Sequence, residues 1–320
     1  NYQAIADRQW QVVKEEYFTA TGRCAVKTQT GLVLALKYHL SDNERLTEQM
    51  LRKLLRDNKN KLNTGFVGTP LLCNVLTEHG MTDLAYRLLL NEEYPGWLHE
   101  VKLGATTVWE RWNSLDENGR ISSTGMNSLN HYSYGAVLEW IFRHVAGIDV
   151  TEQGPGGKMM RISPKVDHKL GSASAVYDSA SGCYRCGWQI ENGDQITVTI
   201  TVPFGAKAQV ILPYAPDSVY HDTDNPLFET VENGICCVKA GQYTVTYKAA
   251  SPLKKSYSVG STLEDLLAEP AIRAFLSNMM EVDMIPDLAY GLTLRQAAEA
   301  FAGGVSAEQA QRLNVLLEEF

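Results

Sequence analysis

The sequence predicts a multidomain chain of mixed α and β structure: a helical first part, an antiparallel β-sandwich, then a small helical tail. Three observations predict it. Apolar residues recur at helical spacing up to about residue 148. Short alternating segments separated by turn signals fill about 159–248. Short amphipathic stretches with capping boxes return after Ser261. The divisions this gives are 1–152, 153–258 and 259–320.

Helices are expected over 2–20 and 28–40. SDNERLTEQMLRKLLRDNK opens with a capping box, Ser41 to Glu44, followed by an apolar stripe of Leu46, Met50, Leu51, Leu54 and Leu55. Thr69-Pro70 reads as an N-cap with proline at the first helical position. MTDLAYRLLLNEE gives a helix from near Thr82, and NHYSYGAVLEWIFRHVAGI another that ends near Gly147. Short loops join these helices, so they suggest a bundle or a toroid. One connection, 92–129, is long. A stretch of that length inside a compact domain is functional or disordered. Its Trp97, Trp109 and Trp112, beside Glu110 and Asn127, argue against disorder.

GPGGKMMRISPKV around Pro155 reads as a linker or bend. SASAVYDS, YRCGWQIEN, GDQITVTITVP, AKAQVILPY and CVKAGQYTVTYKA then alternate as strands, separated by Asn192-Gly193, Pro203, Asn233-Gly234 and Gly241. Asn192-Gly193 fits a two-residue hairpin turn in which both positions need positive φ. In the tail, TLEDLLAEP, AIRAFLSNMM, LTLRQAAEAFA and SAEQAQRLNVLLEEF read as short helices, with capping boxes Thr293 to Gln296 and Ser306 to Gln309. No internal repeat or low-complexity tract stands out.

A formal charge of −8 argues against a nucleic-acid partner, because phosphate binding needs a basic face. No apolar run reaches the length that spans a membrane. The chain opens on NYQAIADRQW, already helix-like, as a processed chain or a fragment would. Among six cysteines, Cys183-x-x-Cys186 and Cys236-Cys237 invite a metal reading. Adjacent strand cysteines point to opposite faces, so reduced, partly buried thiols are the better account, and neither metal nor cofactor is expected. Free thiols and no visible leader lean towards the cytoplasm.

Residues 104–112 read GATTVWERW, a Glu-Arg pair between two tryptophans. Indoles beside a carboxylate are one way to hold a sugar: the ring supplies apolar area and the carboxylate bonds hydroxyls. Such a carboxylate can also act as acid or base in glycoside hydrolysis, which usually needs two. The plain alternative is a packed loop, Arg111 paired with Glu110 and the indoles filling a groove. The residues by themselves leave both open.

KLNTGFVGTPLL (61–72), DLAYRLLLNEEYPGWLHEVKLGATTVWERWNSL (83–115) and GMNSLNHYSYGAVLEWIFRHVAGI (125–148), in this order and spacing, resemble the catalytic domain of α-L-rhamnosidases of glycoside hydrolase family 78. The resemblance runs on through ISP (162–164) and ITVTITVPFGAKAQVILP (196–213), but not into the tail. It implies an (α/α)6 toroid, of which this chain holds part, followed by a small β-sandwich. It also implies inverting hydrolysis of a terminal rhamnose in a glycoside or polysaccharide. The family's general base falls on Glu110; the histidine that contacts sugar hydroxyls falls on His131. Trp109 and Trp112 would shape the pocket. Arg111 would help keep Glu110 ionised if its side chain turned the same way, although neighbours in extended chain point apart. His144 and Glu139 read as solvated or capping residues.

A full (α/α)6 toroid implies twelve helices, and about six precede the sandwich. The family's general acid lies in an Asp- and Trp-rich stretch that residues 1–60 do not match. There Asp7, Glu15, Glu16, Asp42, Glu44, Glu48 and Asp57 read as solvated faces and caps. The expectation is a chain that carries the base but lacks the acid and needs the missing N-terminal half as its partner. Two rivals stand beside it: a carbohydrate-binding fragment without catalysis, and another toroid enzyme acting on uronic acids.

Overall fold

The structure is a computed structural model. It describes residues 2–318 apart from 117, 123–124, 153, 221–229, 233 and 302. The chain forms two compact units, 1–253 and 254–320.

The first unit begins with α1 (Tyr2–Tyr17), α2 (Gln29–Lys37), α3 (Glu44–Asp57), α4 (Thr69–Glu78), α5 (Thr82–Leu89) and α6 (Trp97–Lys102). Leu32, Val33 and Leu36 of α2, Leu51 and Leu55 of α3 and Leu72, Val75 and Leu76 of α4 are buried in one core, as their helical spacing requires. By contrast α1 buries no side chain: Ile5 is 58% exposed and Tyr2 92%. Two predicted caps shift. Helix α3 starts after Asn43, whose side chain accepts from the Leu46 N–H. Ser41 is instead buried and donates to the Gly22 carbonyl, because a hydroxyl taken out of water needs a partner of its own. Helix α4 begins at Thr69 itself, and its hydroxyl pairs with that of Thr64 at 2.8 Å rather than capping.

The helix expected over 130–148 changes pitch twice. Ser133–Ala136 is a 3-10 turn, α7 (Val137–Trp140) is α-helical, and Ile141–Val145 is a π turn closed by Ala146 N–H to the Ile141 carbonyl. Arg143 on the π turn forks onto Asp149 at 3.0 and 3.3 Å and reaches Glu139 at 3.0 Å. Gly147 ends the segment at φ +81°, and a Cβ there would lie 2.2 Å from the Pro164 nitrogen. Only glycine fits this corner.

β1 (Ile148–Val150), β2 (Met159–Ile162), β3 (Ser172–Ser179), β4 (Gly182–Glu191), β5 (Gln195–Val210), α8 (Asp217–Tyr220), β6 (Thr230–Glu232) and β7 (Ile235–Lys248) follow. The ladder order is β1-β2-β5-β4-β3, with β7 paired to β5 and β6. Pairing is antiparallel except between β2 and β5, which run parallel. The segments expected on either side of Pro203 are one long strand. Pro203 lies where the β5–β7 register shifts, between Val202 and Lys207, with Phe204 97% exposed and Gly205 at φ +76°. A proline without an N–H is tolerated in a ladder at such an irregularity, so it kinks the strand instead of ending it. Gly241, read as a turn, is likewise inside β7, opposite Val202. Asn192 and Gly193 both have positive φ, 52° and 81°. The adjacent pair is Glu191 with Gln195, so three residues rather than two lie between. Asn233 lies outside the described residues.

Helices and sheet share one core. Trp188 of β4 donates its indole N–H to the Val145 carbonyl at 2.7 Å, and the Tyr86 hydroxyl bonds the Lys165 carbonyl. All six cysteines are free; Cys186 and Cys236 are buried, Cys183 and Cys237 half-buried.

The second unit holds α9 (Leu263–Ala268), α10 (Pro270–Ser277), α11 (Leu294–Phe301) and α12 (Ala307–Glu318) around Leu266, Ile272, Leu276 and Leu317. Both expected capping boxes form. The Thr293 and Gln296 pair exchanges bonds of 3.0 and 3.1 Å, and the Ser306 and Gln309 pair bonds of 2.9 and 3.2 Å.

Candidate functional site

The connection expected as one long loop contains α6, which Gly104 ends at φ +86°. Beyond it the chain runs antiparallel to residues 128–131. The His131 N–H donates to the Val108 carbonyl at 2.7 Å, the Glu110 N–H to the Ser128 carbonyl at 2.9 Å, and the Thr107 hydroxyl to the Leu129 carbonyl. This pairing brings the segments of Glu110 and His131 together, although twenty residues separate them in sequence.

In an extended segment successive side chains alternate. Trp109 turns inward and is 2% exposed, while Glu110 is half-buried. A turn follows: Ser114 N–H donates to the Arg111 carbonyl at 3.1 Å, and Arg111 N–H to the Ser114 hydroxyl at 3.1 Å. It returns Trp112 to the core, where it is 8% exposed. Its ring stacks on Tyr134 with centroids 3.9 Å apart and meets Trp97 edge-on at 5.4 Å. Its N–H donates to the Thr64 carbonyl. Both indoles are therefore packed inward, and Arg111 is half-buried. Ser114, fully buried, donates to the Asn127 side-chain oxygen at 2.6 Å; the Asn127 amide donates back to the Ser114 carbonyl at 2.9 Å.

His131 lies between two rings, Phe66 at 5.0 Å and Tyr132 at 5.1 Å, both nearly parallel to it. Its Nδ1 accepts from the Ser133 N–H at 3.3 Å. Phe66 is 45% exposed and Tyr132 85%. The loop carrying Phe66 is held by buried Gln29, which donates to the Lys61 carbonyl and accepts from the Asn63 N–H. Sequence reasoning named neither Phe66 nor Tyr134. Phe66 lies inside KLNTGFVGTPLL, one of the resembling blocks, so its position was visible but its role was not.

Helix α6 adds Glu100, also missed from sequence. It is 3% exposed, and burial raises its carboxyl to about 7, with the nearby Trp109 backbone acting the other way. Burial, with Glu100 and Tyr94 nearby, also raises the Tyr134 hydroxyl, while Arg111 acts the other way. Six of the seven acids noted in the first sixty residues bond neighbouring side chains: Asp7 with Gln3, Glu15 with Gln11, Asp42 with Lys14, Glu44 with His39, Glu48 with His79 and Asp57 with Lys53; Glu16 is exposed. On the π turn, His144 is half-buried and not solvated as expected, and burial drives its imidazole down to about 4, which keeps it neutral. No cluster of three or more His, Cys, Asp or Glu able to hold a metal occurs among the described residues.

Two family models match in tandem: the bacterial alpha-L-rhamnosidase 6 hairpin glycosidase domain over residues 1–145, and the bacterial alpha-L-rhamnosidase C-terminal domain over 147–225. An alpha-L-rhamnosidase of Alteromonas sp. (strain LOR) is 39% identical over 221 residues, which are 68% of this chain and 23% of that protein. One from Formosa agariphila is 38% identical over 208 residues, 64% of this chain and 22% of that protein. Among solved structures, the Streptomyces avermitilis alpha-L-rhamnosidase complexed with L-rhamnose matches with a TM-score of 0.69 and 32% identity, covering 77% of this chain and 24% of that one. The native enzyme from Aspergillus terreus matches with a TM-score of 0.68 and 28% identity, covering 77% and 27%. The chain thus spans about a quarter of the length of these relatives. With a six-hairpin helical part leading into the C-terminal β domain, it belongs to the bacterial α-L-rhamnosidase family.

Proposed function

We propose that this chain takes part in hydrolysis of terminal α-L-rhamnose from glycosides or polysaccharides, with inversion at the anomeric carbon. The single observation that carries the reading is the cross-loop pairing that places the segment of half-buried Glu110 against that of His131. A general base needs a rigidly held carboxylate with access to water, and the backbone bonds at Val108 and at Glu110 itself support that role. Glu110 activates the water. His131, oriented by its stack between Phe66 and Tyr132, binds sugar hydroxyls. Trp109 and Trp112 serve the pocket from beneath by packing its loop, and Arg111 closes the turn that returns the chain to the core. In an inverting pair the second carboxylate stands about 6.5–9.5 Å from the first. None of the early acids faces Glu110 in the hydrogen bonds described, so the acid comes from the missing N-terminal half. The division into 1–152, 153–258 and 259–320 belongs to the same reading.

Two substrates test it on this chain. α-L-Rhamnosyl fluoride loses its leaving group without protonation and so depends on the base. p-Nitrophenyl α-L-rhamnoside has a more basic leaving group. The fluoride is turned over to the inverted sugar, and Glu110→Gln lowers its rate about 10²–10⁴-fold. Fluoride turnover untouched by Glu110→Gln rejects the base. Robust hydrolysis of the aryl rhamnoside, abolished by Glu110→Gln, rejects an acid supplied from elsewhere. Rhamnose binding with neither turnover returns the chain to a binding module.

A further inference from the structure

The irregular loop between α3 and α4, residues 58–68, meets the site at two points. The Thr64 carbonyl accepts the Trp112 indole N–H at 3.2 Å. The Phe66 ring stacks on His131 at 5.0 Å and 12°, and leans on buried Tyr134 at 5.5 Å. The other ring on His131, Tyr132, is solvent-exposed. Phe66 is therefore the wall that ties the imidazole to the core, and its place is set by its loop.

Two amides shape that loop. Lys59 and Asn60 turn it at φ 55° and 53°, and the Asn58 amide closes the turn on the Lys61 carbonyl at 2.8 Å. The second amide comes from outside. Gln29 is 1% exposed and opens α2, whose Leu32, Val33 and Leu36 are sealed in the core. Its nitrogen donates to the Lys61 carbonyl at 2.9 Å, and its oxygen accepts the Asn63 N–H at 2.8 Å. The two bonds use opposite ends of one group, so the amide fits in one orientation: reversed, NH2 would face an N–H and oxygen a carbonyl. An apolar side chain fills such a space but satisfies neither backbone group, and a buried polar group without a partner is costly. Beyond Asn63, buried Thr64 pairs its hydroxyl with that of Thr69 at 2.8 Å, which carries the fixed backbone to the start of α4.

We propose that Gln29 is a positioning residue for His131: its amide fixes the loop that seats Phe66 against the imidazole. Gln29 touches no sugar and acts through that ring. The role rests on the reading of His131 as the residue that binds sugar hydroxyls. A tilted imidazole weakens its bond to the sugar in the ground state and the transition state alike, so the loss falls on KM and not on kcat.

The test compares Gln29→Met, which keeps the length and loses both bonds, with Phe66→Leu, which keeps both bonds and loses the ring. Carbon-13 NMR of labelled histidine reads the His131 imidazole, which the Phe66 ring current shifts. Hydrogen exchange of the Asn63 amide reads the loop, with residues 196–202 of β5 reporting the fold. In Gln29→Met the Asn63 amide exchanges at least about tenfold faster while residues 196–202 do not change. The His131 signals move in the direction set by Phe66→Leu. KM for α-L-rhamnosyl fluoride rises about tenfold in both variants, with kcat of Gln29→Met within about twofold of the wild type. The double variant is no worse than Phe66→Leu, because both changes act through one ring. Unmoved His131 signals in folded Gln29→Met overturn the positioning role, as do KM losses that add in the double variant. A fall in kcat at constant KM overturns it too, since the loop would then act through Trp112. If Gln29→Met does not fold, Phe66→Leu still decides: wild-type His131 signals or wild-type KM there overturn the role. Failure of the underlying reading looks different: His131→Ala leaves KM unchanged, or the wild-type chain has no turnover, while the ring signals and the Asn63 exchange still decide the loop.

Discussion

The sheet and the paired loops hold shape by opposite means. In β5 the residues Ile196, Val198, Ile200 and Val202 are buried in strict alternation, and each stretch is paired along its length with β4 and β7. Among the described residues between Trp97 and Tyr134 there is an isolated bridge, Leu115 with Ile121, but no continuous ladder. Shape comes from separate polar contacts: Trp97 to Tyr134, Ser114 to Asn127, Trp112 to Thr64. A ladder repeats one rule over many residues and tolerates a local fault, as the Pro203 kink shows. A set of single contacts lets a carboxylate and a histidine be placed where alternation would not put them, and leaves each contact without a substitute.

Three substitutions sharpen that contrast. The largest effect on stability falls in the sheet. Val198→Ala, at a fully buried site, costs about 2–4 kcal/mol in urea unfolding. Turnover of the fluoride stays within about twofold, because the ladder and not the loops absorbs the loss. A fall in kcat as large as that from Ser114→Ala would show the two regions to be one mechanical unit. Next, Ser114→Ala removes a buried donor and leaves the Asn127 oxygen short of a partner, costing about 1–3 kcal/mol. Here kcat falls together with stability, and protection of the 107–112 amides is lost. Activity unchanged at that cost would mean that the loop contacts are redundant.

The smallest effect depends on pH. The folded state raises Glu100 from 4.5 to about 7, so between these values the native chain holds a proton that the unfolded chain has released. This contribution is complete below about pH 4.5 and is lost as pH rises through about 7. Gln cannot ionise. The melting temperature of Glu100→Gln therefore gains on the wild type from about pH 5 to about pH 8. A constant gap across that range would place Glu100 in contact with water.

Much of the fold could be read from residue order. Strict alternation made the β segments visible, and Ser306 with Gln309 announced a cap that forms as written. Where a short-range signal failed, packing chose. Ser41 is the expected cap of α3; Asn43 takes that place, and the Ser41 hydroxyl is claimed by the Gly22 carbonyl, nineteen residues away. The site was legible as a list of residues and not as an arrangement. GATTVWERW marked Glu110, and NHY marked His131, through their resemblance to a family. Glu100 and Phe66 carried no signal of their own, since one lies in a helix too short for periodicity and the other in an irregular loop.

By itself, then, the sequence determined the elements whose rule is local: helical stripes, alternating strands, glycine corners such as Gly147, and two capping boxes. Tertiary structure alone decided that Trp109 and Trp112 turn inward, that Pro203 bends a strand instead of ending it, and that a short helix holds the backbone beyond His131 through the Trp97 indole. The physical reason is the same in each case. These features depend on which buried donor finds which acceptor across tens of residues, and no spacing along the chain encodes that choice.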